Sequence, residues 1–455
     1  MPASISSKPG HRAVSWHVFG ALLLAAWSGM SPWPPTSQAG AQDIGGGVPG
    51  SASNEAGLID QVGDADAAVR LAAVSALGGA ASDPRRAVTA LAAALGDSER
   101  DIRIAAAQAL ERVGREANIA VPALVQALAD GDLEVRIAAT SALGPYVVKQ
   151  AQIVPVLAAL LRGEEEALYP AAAGSLVRMG GAGVEPLLEA LADPRAAVRS
   201  AAAVGLGGIG IDARAAVPAL IDRLGDDDAG VRRAVAGALG HIAADRGFPA
   251  EKDWTSEFAD KPVWPKAMTA AERALDAVEL HYAIVRAVVP ALLDRIRDPV
   301  PATRFAMVIA LGAIGGGAQP AVPTLTTIAR EADEEMRRAA IMALGDIGGD
   351  APETLAVLAE GFADTNPNIR WASARALSKL EGPALPILVG ALNHQDDTTR
   401  RLAAIALADM GQAAAPAIAA LIGTLDDRDG AVRLAVQGAL AKISKPTISV
   451  VPVLE

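Results

Sequence analysis

Beyond residue 41 the chain has three histidines, His241, His281 and His394, which stand far apart in sequence. None forms an H-x-x-x-H pair of the kind that grips a metal from one helix face. There is no cysteine, so disulfides, thiolate zinc, iron–sulfur clusters and thiol nucleophiles are excluded together. Carboxylates cluster at Glu164-Glu165-Glu166, Asp226-Asp227-Asp228 and Asp426-Asp427. They lack the glycine-punctuated alternation of a calcium loop and read as solvated turns. No G-x-S-x-G, Walker or kinase signature occurs, and Gly315-Gly316-Gly317 reads as a turn after a helix. The expectation is a non-enzyme with no catalytic residue, no metal ligand and no cofactor; carboxylates brought together only by folding would escape this reading.

The regular feature is a phrase, V-R-x-A-A-x-x-A-L-G, whose arginines fall at Arg70, Arg103, Arg136, Arg199, Arg232, Arg304, Arg337, Arg370, Arg400 and Arg433. Tyr169 takes the place in one further copy, LYPAAAGSL, and successive spacings are 33, 33, 33, 30, 33, 72, 33, 33, 30 and 33. Eleven copies of one unit are implied. Six residues before each arginine stands an acid: Asp64, Asp97, Asp130, Asp193, Asp226, Asp298, Asp364 and Asp427, with Glu331 as a ninth; Gly163 and His394 break the column. Fourteen residues before it stand Pro122, Pro155, Pro218, Pro290, Pro323 and Pro386.

Each unit therefore reads as an apolar helix begun or bent by proline, an acidic turn, and a second helix ending at glycine. In the first unit Val69, Ala72, Ala73, Ala76 and Leu77 keep the spacing of one buried stripe. The column aspartate suits an N-cap or first-turn position. Arginine and aspartate in common register suggest a ladder between units rather than a basic stripe for phosphate.

The motif Asp226-Asp227-Asp228-Ala229-Gly230-Val231-Arg232 followed by AVAGALGHI resembles the HEAT-repeat family, in its short bacterial variety related to phycobilin-lyase repeats. The resemblance covers roughly residues 55–443 and implies an all-α, right-handed superhelix of about eleven helical hairpins, with second helices lining a concave face. Hairpins about 10 Å apart would give a length on the order of 100 Å. It implies surface rather than a reaction. The alternative is an enzyme or accessory factor of the phycobilin-lyase or deoxyhypusine-hydroxylase kind. The hydroxylases bind iron through repeated His-Glu pairs, whereas here Ile, Tyr and Gln follow the three histidines.

Counting from each arginine, positions +2, +3, +6 and +7 should face the core and +1, +4, +5 and +8 the other way. The latter hold Leu71, Ile104, Ile137, Phe305, Trp371 and Leu434 at +1, and Val308, Ile309, Ile341 and Met342 at +4 and +5. Two readings stay open: a groove for a peptide or helix, or units stacked tightly enough to cover these side chains. The 72-residue gap is one unit plus 39 residues, about 244–283, containing Phe248, Trp254, Phe258, Trp264 and Tyr282. Its second half should be a helix capped by Thr269 with Glu272 completing a capping box. Trp254, Phe258, Trp264, Phe305 and Trp371 are the candidate partner-binding residues.

Residues 1–41 join Lys8 and Arg12 to the apolar run 18–27 and close on Ala39-Gly40-Ala41, which reads as a secretory signal; the alternative is an uncleaved anchor. Residues 42–54 read as a flexible linker and 444–455 as a tail. No other segment reads as a membrane span. The net charge of −12 counts against nucleic acid as a partner. The expectation is an exported monomer, periplasmic or extracellular, that holds a protein or peptide.

Overall fold

The computed structural model of the chain describes residues 51–79, 84–244, 270–349 and 351–444. The expected leader, the first half of the insertion with Trp254, Phe258 and Trp264, Thr269 and residues 445–455 lie outside them. Among the described residues twenty-two α-helices run from Ser51–Gln61 to Gly430–Ile443 without a strand, and consecutive helices pair into eleven hairpins.

The hairpins share one core. A single buried cluster extends from Val74 to Ile443, because no hairpin can cover its own apolar stripe and each closes it against the next. The leucines at +7, from Leu77 and Leu110 to Leu377 and Leu407, are buried. Every second helix touches the second helix of the following hairpin, whereas successive first helices meet loosely. The chain is an α-α superhelix, and the more closely packed row lies on its inner side.

Small residues set that closeness. The glycine at +8, expected to end the helix, lies inside it at Gly207, Gly240, Gly312 and Gly345, where the next helix crosses. A Cβ on Gly240 would stand 2.8 Å from Ala310 Cα, and one on Gly345 2.6 Å from Ala376 Cα. The helix ends three residues later, at a second glycine column with positive φ: Gly114 (68°), Gly210 (73°), Gly315 (69°), Gly348 (74°) and Gly411 (59°). Gly345→Ala should therefore push two inner helices apart and destabilise the protein by about 1–3 kcal/mol. Urea unfolding checks this, and an unchanged midpoint would show that the crossing yields at no cost.

Proline begins most first helices. Pro122, Pro218, Pro323 and Pro386 sit in the first two positions of Val121–Ala127, Val217–Arg223, Val322–Glu331 and Leu385–Ala391, where the absent N–H would have had no partner. Pro155 and Pro290 lie inside Gln150–Leu161 and Ala270–Asp294.

Three expectations need correction. Residues 51–54, assigned to the linker, belong to the helix Ser51–Gln61; they hold no glycine or proline, and Leu58 and Ile59 of the same helix pack on the core. The helix at the end of the insertion does not stop at 283. It runs from Ala270 to Asp294 as the first helix of hairpin seven, since no breaker separates the two. Thirdly, Ala196–Arg223, Pro301–Glu331 and Asp397–Gly423 are long and apolar enough, by length and composition, to cross a membrane. Each turns at a positive-φ glycine, Gly210, Gly315 or Gly411, between the second helix of one hairpin and the first of the next.

Candidate functional site

The acidic turn is where the units are joined. Asp97 Oδ1 accepts the Glu99 N–H at 2.8 Å, closing an Asx turn. The same geometry recurs at Asp64, Asp130, Asp193, Asp226, Asp298, Asp364 and Asp427. The column aspartate is thus not the N-cap. In several hairpins the cap is the residue two further on, as with Asp66, Asp132, Asp228, Asn366, Asp396 and Asp429. The spacing explains this: six residues before the arginine is two residues too early for a helix that starts at −3.

Freed from capping, the carboxylate faces the preceding hairpin. Arg70 Nε and Nη2 donate to Asp97 at 2.8 and 3.0 Å, while Nη1 donates back to the Asp64 carbonyl at 3.0 Å. Arg103–Asp130, Arg199–Asp226 and Arg400–Asp427 repeat this two-pronged grip, and Arg337 donates to Asp364. Arg136 reaches Glu165 where Gly163 breaks the acid column. Across the insertion, Arg232 grips Asp298 at 2.7 and 3.0 Å, with the two side chains 12% and 6% exposed. In the degenerate unit the Tyr169 hydroxyl donates to the Gly163 carbonyl at 2.8 Å, six residues back like an arginine Nη1, and Arg195 takes Asp193.

The arginine forks hold Asp97, Asp130, Asp193, Asp298 and Asp427 below the usual carboxylate range. At Asp226 and Asp364 burial pushes upward, but the arginine and the turn N–H outweigh it and both are lowered.

Among the described residues two internal arginines have no carboxylate within ion-pair distance, although Asp396 feels the charge of Arg370. Arg304 donates only to the Asp298 and Pro299 carbonyls, because Glu331 ends the helix Val322–Glu331 instead of forming the turn. Glu331, expected as the ninth acid, is outside the ladder. Arg370 donates from Nη1 to the Asp364 and Thr365 carbonyls at 2.8 and 2.9 Å, and its buried Nε has no hydrogen-bond partner. The column position of the next hairpin is His394, whose Nδ1 accepts the Asp396 N–H at 3.1 Å. Arg433, in the last hairpin, donates only to the Asp427 and Arg428 carbonyls.

A second charge column escaped the sequence reading. Nine residues after the arginine position, Lys379 pairs with Asp346 and Lys442 with Asp409, each one unit apart. The alternating sign at +9 was the available signal.

The outward positions divide. Position +4 is buried between hairpins, as at Val74, Val308 and Ile341, so stacking covers it. Positions +1 and +5 form an open stripe along the inner row. Leu71, Ile104, Ile137, Phe305, Ile309 and Met342 are half-buried, whereas Val204, Trp371, Ile405 and Leu434 are exposed, Trp371 to 49% and Leu434 to 71%. Phe305 packs against the core; Trp371 carries the Arg375 guanidinium 6.0 Å from its ring centre. Tyr282, in the insertion's helix, is 55% exposed. Among the described residues no group of three His, Asp or Glu side chains could hold a metal ion.

The sequence profile of HEAT repeats matches residues 55–144, 121–203, 184–276 and 322–408, more than half of the chain. Among solved structures, a mutant of Kap121p is similar over 88% of this chain and 46% of its own, at 13% identity and a TM-score of 0.53. Yeast importin-β (Kap95p) aligns over 86% of this chain and 61% of its own, at 14% identity and a TM-score of 0.48. An engineered protein aligns over 86% of this chain and 99% of its own, at 21% identity and a TM-score of 0.37. At such identities the likeness is one of fold, and the chain spans about half the length of the karyopherin structures. No curated protein matches it.

Proposed function

Because the chain belongs to the HEAT-repeat family, whose stacked hairpins present surface rather than a reaction, we propose that it is a non-catalytic scaffold. It holds a protein or peptide partner along the inner stripe, works outside the cytoplasm, and acts as a monomer. The observation that carries this reading is how the conspicuous columns are used. Aspartate, arginine and glycine are engaged in joining hairpins, so the open inner stripe is what remains for recognition. Its exposed Val204, Trp371, Ile405 and Leu434 are the spaced apolar side chains on which an interface can be anchored. Export rests on the leader, and binding by Trp254, Phe258 and Trp264 on the composition of the insertion.

Affinity capture from the envelope fraction of the native cell tests the reading, comparing the wild-type chain with Trp371→Ala/Leu434→Ser and with Trp254→Ala/Trp264→Ala. A reproducible protein partner that the first variant loses is the expected result, with the captured chain beginning at Gln42. Equal recovery by both variants would remove these surfaces from the reading. Stoichiometric iron or zinc in the purified protein would favour an enzyme instead.

A further inference from the structure

The open stripe has a sign. None of the twenty-two residues at +1 and +5 is acidic, whereas four are arginine: Arg233, Arg338, Arg375 and Arg401. In a chain of net charge −12 this is a segregation of charge. Arg338, Arg375 and Arg401 are all exposed. They stand on successive inner helices, Glu334–Ile347, Pro367–Leu380 and Asp397–Met410, and none has a carboxylate partner within ion-pair distance among the described residues.

In the middle of this patch the ladder is open. Arg70, Arg103, Arg136, Arg199, Arg232 and Arg400 use Nη1 for the turn carbonyls and Nε with Nη2 for the next carboxylate. Arg370 has made the first set of bonds and lacks the second. His394 cannot replace the acid: with Nδ1 accepting a backbone N–H, its other nitrogen offers only a proton. A buried guanidinium nitrogen without an acceptor is costly, and a carboxylate is the acceptor that satisfies it most strongly. Trp371, next to Arg370 in sequence, supplies an exposed ring.

Resting on the scaffold reading, we propose that the inner stripe of hairpins eight to ten docks an acidic peptide segment of the partner. One of its carboxylates completes the ladder on Arg370, others meet Arg338, Arg375 and Arg401, and an apolar side chain lies on Trp371. The second open arginine, Arg304, is two hairpins away, about 20 Å at ordinary helix spacings. An extended peptide covers that in about six residues, and there too an aromatic, Phe305, stands at +1. The interleaved apolar side chains suit a peptide rather than a polyphosphate, which the net negative charge repels at long range.

The test is fluorescence anisotropy with the full chain and three fluorescein-labelled twelve-residue peptides of alternating Leu with Glu, Gln or Lys. The Glu peptide should bind, more weakly as salt rises, and the Gln and Lys peptides should not. His394→Asp restores the column acid and fills the Arg370 fork from within. It should weaken the Glu peptide about tenfold or more while leaving thermal stability equal or higher. Arg401→Glu, on an exposed side chain, should weaken it as well. The proposal is overturned by equal binding of the Gln or Lys peptide, by unchanged binding to His394→Asp, by absence of any binding, or by tighter binding of a single-stranded DNA oligonucleotide. In those cases the scaffold reading stands or falls separately, on the capture experiment with the apolar variants.

Discussion

Asp298→Ala should split the unfolding of this protein into two transitions. The carboxylate receives both prongs of Arg232 and the Val300 N–H, so its removal strands a largely buried guanidinium and opens an Asx turn. Breaking such a pair from one side costs about 3–5 kcal/mol. In a compact domain that would lower a single midpoint. Here the contacts run chiefly between adjacent hairpins, Arg178 with Glu111 being a reach across one unit, and the pair joins hairpins six and seven across the insertion. Weakening one junction in the middle uncouples the two flanks. Urea melts followed by circular dichroism should then show one half unfolding before the other. The same substitution at Asp427, which joins the last two hairpins, should fray only the end. One unshifted transition for Asp298→Ala would mean that apolar packing alone carries that junction.

Acid should unfold the array within a narrow pH window. Asp97, Asp130, Asp193, Asp226, Asp298, Asp364 and Asp427 all have lowered values in the folded chain. A depressed carboxylate stabilises the folded state fully above its unfolded pKa, about 4, and this contribution is lost as pH falls through the folded value. Stability should therefore be flat from about pH 8 to 5 and fall steeply below about pH 4, with several protons taken up per molecule on unfolding. The arginines stay charged throughout. Urea midpoints at pH 7, 5, 4 and 3 check this. A decline beginning near pH 6 would point to histidine instead, and indifference down to pH 3 would show that the forks contribute little.

The period was legible because each hairpin repeats the same physical demands: a leucine at +7 for the shared core, an aspartate at −6 and an arginine at 0. Periodicity also placed +2, +3, +6 and +7 inward, which holds along the array except in the first hairpin, where Ala72 and Ala76 are exposed because no earlier unit covers them. It left +4 open between a groove and a stacking contact, since helical geometry knows the hairpin's own core but not the neighbour, and the burial of Val74, Val308 and Ile341 decides for stacking. Gly240 and Gly345 looked like helix ends for the same reason; what requires glycine there is a neighbouring helix remote in sequence, crossing at Ala310 and Ala376. After Gly345 the true end of the helix is the left-handed Gly348, in a column that even Glu381 occupies at φ 51°. The open fork of Arg370 was half legible, because His394 visibly broke the acid column. That its ring would accept from the turn and leave the arginine without a partner needed coordinates. Trp254, Phe258 and Trp264 lie outside the described residues, so the insertion's part of the candidate site rests on composition.

The clasps between hairpins are unevenly distributed, and this gives the spiral a mechanical gradient. In the amino-terminal half each junction is held by a bidentate grip or by the Tyr169–Arg195 substitute. In the carboxy-terminal half every second one, at Arg304 and Arg370, is undone. Stretched from its ends, such a coil does not extend evenly: its carboxy-terminal turns give way at lower force. A single molecule drawn out in optical tweezers should lengthen there first, and uniform yielding along the contour would contradict the gradient.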